Sequence, residues 1–203
     1  MMRFTVPKRW TLAAFAALWA ALLASPTTGA AQSVTGEATA VRATVFSLLG
    51  STTTTLASTG TLSGTTDARE ASMNTGEVPS LLGAETLHAT TIGWPDQTAS
   101  EASVAALALR VAGTTIGADF VGARALAASA GEEFGTSAIG NLSVNGVPVD
   151  ITGDPNQAIA IPGGLLVINE QQASMDRMVV NALHLILDGV ADVVVGSATA
   201  AIQ

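Results

Sequence analysis

Long stretches of this chain alternate apolar with small polar residues, the period-two pattern of strands that bury one face. "ATAVRATVF" sets Val41, Ala43 and Val45 on one side and Arg42 and Thr44 on the other. "ETLHATTIG" opposes Leu87 and Ala89 to Thr86, His88 and Thr90. Between them, residues 51–80 form the most polar and least patterned region. Its first part suits a Thr-rich strand, because β-branched Thr fits a half-solvated pleated surface, and Gly64 to Ser80 reads as loop.

"SVAALALRVAGTTIGADFVGARALAAS" reads as a hairpin. A tip at Thr114-Thr115 would set Leu109 opposite Phe120 and Arg110 opposite Asp119; Gly113, Gly117 and Gly122 argue against a helix. The Gly-flanked "AGEEFG" makes Glu132 and Glu133 a solvated tip. In "LSVNGVPVDI", Asn145-Gly146 between two valines matches a two-residue type I′ turn, which needs positive φ at both positions. Pro148 cannot donate to a ladder, so the returning strand belongs at an edge. "QAIAIPGGLLVINEQ" gives two strand segments broken at Pro162-Gly163-Gly164. The last hairpin, "VVNALHLILDGVADVVVGSATA", takes a five-residue loop from Asp188 to Asp192 that pairs Leu185 with Val195. Apolar residues on both faces of 179–187 predict a central strand. Seven or more strands with turn signals between them predict an all-β, antiparallel sandwich. A β-solenoid is the alternative, disfavoured because no regular rung length appears.

The N-terminus changes the picture. A basic segment with Arg3, Lys8 and Arg9, an apolar stretch too short to span a bilayer comfortably, and small residues up to Ala31 have the layout of a secretory signal peptide. Residues 1–31 are therefore read as a leader, with the mature chain starting at Gln32 or Ala31, and 32–203 as one β-rich domain with no later membrane span. Cutting there leaves five basic residues against sixteen acidic ones, a net charge of −11 with no lysine. Such a chain repels phosphate backbones and anionic lipid, so nucleic acid and membrane surfaces are poor partners. There is no cysteine, which excludes thiolate chemistry and leaves stability to the core. One tryptophan, Trp94, survives processing and there is no tyrosine, which weakens a lectin reading because sugars usually stack on aromatic platforms.

Candidate chemistry is sparse. Serine and cysteine hydrolases need a nucleophile on an exposed turn beside a base, and no G-x-S-x-G is present. His184 and Asn181, set in an apolar strand, read as structural polar groups that each find a hydrogen-bond partner. An enzyme would require His88, His184, Glu170 and a serine or threonine to converge in one cleft. "DITGDPNQ" offers Asp150, Asp154 and Asn156 as oxygen ligands for calcium, though Asp-Pro-Asn is also ordinary turn chemistry. No catalytic residue and no other cofactor is assigned.

"LSVNGVPVD", "PNQAIAIPG", "LLVINEQ", "VVNALHLIL" and "ADVVVGSATA", in this order over residues 142–200, resemble the bacterial exported proteins of the choice-of-anchor P family. The resemblance implies a secreted or surface-displayed β-rich domain and carries no catalytic residues with it. The final "SATAAIQ" departs from the family by lacking a sorting motif, apolar tail or basic end, which favours a secreted, extracellular protein, or a periplasmic one, over an anchored one. The expected function is display, adhesion or extracellular-matrix contact by a non-catalytic exported protein, with surface or matrix proteins or glycans as partners. The alternative is a secreted ligand- or carbohydrate-binding module, and a hydrolase ranks behind both.

Overall fold

The computed structural model describes residues 33–129 and 131–203; the proposed leader, 1–31, and the proposed start at Gln32 lie outside them. Thirteen strands among the described residues make two antiparallel sheets and no helix. They are β1 (Val34–Ser47), β2 (Gly50–Ser58), β3 (Ala68–Val78), β4 (Leu82–Gly93), β5 (Gln97–Val111), β6 (Thr114–Ala128) and β7 (Glu132–Gly140). The rest are β8 (Ser143–Val144), β9 (Val147–Pro148), β10 (Gln157–Ile161), β11 (Gly164–Ser174), β12 (Arg177–Leu187) and β13 (Ala191–Ile202). The six-stranded sheet runs β10-β11-β12-β13-β1-β2. The seven-stranded sheet runs β3-β4-β5-β6-β8-β9, with β7 also paired to β6. The fold is the predicted β-sandwich.

Apolar side chains of both inner faces, among them Val41, Leu87, Val104, Val121, Ile168, Val180, Leu185 and Val193, form the core. Its small-residue composition has a steric cause near one end. A Cβ on Gly36 would meet Thr91 Oγ1 at 2.5 Å and Thr98 Cγ2 at 2.8 Å. There the sheets approach so closely that buried hydroxyls reach across. Ser100 Oγ donates to the Thr199 carbonyl at 2.6 Å and Thr98 Oγ1 to the Ala201 carbonyl at 3.2 Å, while Thr91 and Ser100 share a 2.7 Å bond. A buried hydroxyl without a partner is costly, and these bonds are what allow Thr and Ser inside.

Local turn chemistry sets several registers. Asn145 and Gly146 both have positive φ, +52° and +76°, and join Val144 to Val147, with Pro148 on the edge strand β9. The β5–β6 hairpin exists, but its tip is Ala112-Gly113, with φ +48° and +79°. Leu109 therefore faces Ile116, Arg110 faces Thr115, and Phe120 faces Ala105, so the predicted Leu109–Phe120 and Arg110–Asp119 pairs do not form. The last turn is Asp188-Gly189-Val190 rather than five residues, and Leu183, not Leu185, opposes Val195. Gly189 supplies the left-handed φ of +68° that lets three residues reverse the chain. Glu132 and Glu133 open strand β7 instead of forming a tip.

The predicted 64–80 loop contains an eleven-residue strand, β3. As an edge strand it is wet on both faces for most of its length and so carries little alternation. Before it, Asp67 gathers three donors on one oxygen: Ser63 N–H, Ser63 Oγ and Arg69 Nε, each at 2.8 Å. The Ser63 backbone N–H, then its hydroxyl, then Arg69 hold this carboxyl down from 3.8 to about 2. A depressed carboxyl stabilises the fold fully above its unfolded value and loses that contribution as pH falls through its folded one. Asp67→Asn should therefore flatten the acid limb of a urea-midpoint profile between about pH 4 and about pH 2. An unchanged profile there would refute the role of this carboxylate.

Candidate functional site

The site begins with a backbone irregularity. In the six-stranded sheet Ala57, Gly196 and Asn169 have φ of +47°, +67° and +52°, in β2, β13 and β11. They lie in one row across the sheet, level with Ala40 of β1 and Ala182 of β12. At this row the alternation slips by one. Ala40 and Val41 are both buried, as are Ala182 and Leu183, so outward residues on either side stand three positions apart instead of two. Thr39 and Arg42 flank the slip on β1, and Asn181 and His184 flank it on β12. The missing row leaves a cleft of about 560 Å³ on the outer face, lined by polar residues that include Glu37, Arg42, Glu170, Arg177, Asn181, His184 and Ser197.

Glu170, opposite Asn181 on β11, spans the gap. Its Oε2 accepts from Asn181 Nδ2 at 2.6 Å and lies 2.9 Å from His184 Nδ1. Ser197 Oγ donates to Asn181 Oδ1 at 2.7 Å. His184 Nε2 is buried and sits 3.3 Å from Asp192 Oδ1, in a geometry that does not make a hydrogen bond. The imidazole is thus held between two carboxylates, its side chain 15% exposed. Nδ1 is taken up by Glu170, Nε2 is buried without a hydrogen-bond partner, and Ser197, opposite Asn181, gives its proton to the Asn181 amide oxygen rather than to the ring.

Of the residues an enzyme would require in one place, Glu170 and His184 share this cleft with Thr39, Ser197 and Thr199. His88 does not: it lies on β4 of the other sheet, 3.7 Å from Glu70. Asp150 and Asp154 are exposed, and the loop holding them is organised by amide side chains. Gln157 Nε2 donates to the Asp150 carbonyl at 2.7 Å, and Asn156 Oδ1 accepts from Gln171 N–H at 2.9 Å, so the Asn156 oxygen is already engaged. The described residues contain no group of three or more His, Cys, Asp or Glu side chains placed to hold a metal ion.

Sequence reading missed Asp192 beside His184, and Arg42, Arg177 and Ser197 as further walls of its cleft. Arg42 was legible only as an outward residue, and nothing local marked the row that brings these side chains together. Among the described residues Arg42 and Arg177 are in no ion pair, whereas Arg69 and Arg124 are paired with Asp67 and Glu101. No helix among the described residues is long and apolar enough to cross a membrane. No protein-family model matches the chain, nor does any curated protein or solved structure.

Proposed function

We propose that this chain is an exported, non-catalytic β-sandwich protein that acts by contact, in display, adhesion or extracellular-matrix binding. The observation that carries the non-catalytic part is that no hydroxyl meets His184: its Nδ1 is taken by Glu170, its Nε2 is buried and unbonded, and Ser197 is committed to Asn181. Export is supported by the three-part layout of residues 1–31, and a surface or secreted role by the resemblance over 142–200. A second reading, a module that binds a small polar ligand, is favoured by the two unpaired arginines that line the same cleft of about 560 Å³.

The test is a paired assay on His184→Ala, comparing its melting temperature and its activity against glycan and ester panels with those of the parent protein. Losing the imidazole removes one of the two partners of Glu170 Oε2 in a largely buried setting, so a destabilisation of about 1–3 kcal/mol is expected, with no turnover by either protein. Unchanged melting together with an abolished turnover would make His184 catalytic and overturn the reading.

A further inference from the structure

The outer face of the seven-stranded sheet carries a second site. The described residues hold four aromatic side chains, Phe46, Trp94, Phe120 and Phe134. Two of them stand on this face, Phe120 41% and Phe134 58% exposed. Phe120 is turned outward by the same kind of slip that shapes the other sheet: Ala106 has φ +48°, and Asp119 and Phe120 are consecutive exposed residues opposite it. Its ring lies against Gly122, where a Cβ would come within 2.9 Å of Cε1 and 3.0 Å of Cζ. Its own cross-strand partner is Gly140, and Gly122 pairs with Ala138, so the floor under the ring is backbone and methyl groups. Phe120 keeps 41% of its surface exposed above that floor.

Two hollows of about 300 Å³ each lie side by side here. One is walled by Phe120 with Gly122, Thr136 and Ala138, the other by Phe134 with Leu126, Ile92 and Thr90. They share Glu101 and Arg124, whose side chains meet in a 2.8 Å ion pair. Phe134 pairs with Leu126, six positions along β6 from Phe120, so the two rings are set roughly 20 Å apart.

We propose that this face binds a neutral oligosaccharide, with pyranose rings stacked on Phe120 and Phe134 and hydroxyls bonded to Arg124, Glu101 and Thr136. The proposal rests on the contact reading above and names its partner class. Sugar rings have one apolar C–H face and a polar rim, which matches an aromatic wall beside a fork of donors and acceptors. Charge selects the neutral class: a domain carrying −11 repels polyuronates and sulfated chains. Strand addition by a peptide would use the backbone groups on the unpaired edge of β7 rather than the Phe120 and Phe134 side chains on the face.

Isothermal titration of the full-length protein with neutral gluco-, manno- and galacto-oligosaccharides of increasing length tests this, with polygalacturonate as the acidic counterpart. The parent protein should bind a neutral series more tightly as chain length grows. Phe120→Ala and Phe134→Ala should each weaken that binding roughly tenfold or more, as truncation of an aromatic anchor does, while melting stays unchanged because both rings are exposed. Failure to bind any neutral oligosaccharide, a preference for polygalacturonate, or binding retained by both variants would each overturn the proposal. A double Arg42→Ala, Arg177→Ala variant separates the two readings. Loss of glycan binding there, with both phenylalanine variants still binding, would move the contact site to the cleft and leave the contact reading standing.

Discussion

Gly164→Ala should destabilise the protein by at least about 3 kcal/mol, at the upper end of what overpacking does. Gly164 opens β11 immediately after the Pro162-Gly163 turn and pairs with Ile161 on one side and Leu187 on the other. Its backbone is not left-handed, so the reason is purely steric: a Cβ there runs into the Ile186 backbone carbonyl, with the Leu187 Cα at 3.0 Å. No side chain can give way, and β11 would have to leave β12 at its first residue. Gly163 provides the internal comparison. It has φ +77° and open space around its missing Cβ, so Gly163→Ala should cost only the left-handed penalty of about 1–2 kcal/mol. Urea denaturation of the two variants decides: equal midpoints, or the reverse order, would refute the placement of β11 against β12.

Glu170→Ala should remove about 2–4 kcal/mol, because it leaves Asn181 Nδ2 and His184 Nδ1 without their shared acceptor in a site where the His184 and Glu170 side chains are both less than one-fifth exposed. Glu170→Gln keeps a carbonyl oxygen in place and should lose less. Asp192→Asn should matter little, about 0–1 kcal/mol, since that carboxylate is 42% exposed and only faces His184 Nε2 without a hydrogen bond. Urea midpoints for the three variants test the order. If Asp192→Asn proved the most damaging, the ring would be held from the β13 side instead, and Glu170 would lose its assigned role.

What the sequence made legible follows physical lines. Strands with one wet and one dry face announced themselves: Val41 and Ala43 on β1, and Leu87 and Ala89 on β4, are all buried. Asn145-Gly146 was readable because a type I′ turn leaves few other choices. Three features escaped. Strand β3 lacks alternation because water lies on both its faces. The tip of the β5–β6 hairpin was misplaced because Ala112 takes a left-handed conformation that an alanine does not advertise. The cleft escaped for the same reason on a larger scale. Asn169 and Gly196 belong to the residue types that tolerate positive φ, yet Ala57 does not, and only their alignment across strands turns three local irregularities into one missing row. The outward phenylalanines of the seven-stranded sheet, Phe120 and Phe134, were visible as letters. That Phe120 would reach over Gly122 depended on the outward turn at Asp119.

The pairing of β1 with β13 has a kinetic consequence. Val34 faces Ile202, and Ser33 and Gln203 exchange two backbone bonds of 2.8 Å, so an interior pair of the six-stranded sheet is made from the two ends of the described chain. The β1–β2 hairpin joins that sheet only through β13, and must wait until the last strand has arrived. Closing so long a loop before its contacts repay the entropy is a slow step, and folding should be correspondingly late and all-or-none. Because residues 33 and 203 already touch, a short linker between them with new ends opened at the Asp188–Val190 turn would make that contact local. The same cut makes β12–β13 the pair that joins the two ends, so the late step should pass to that pair rather than disappear.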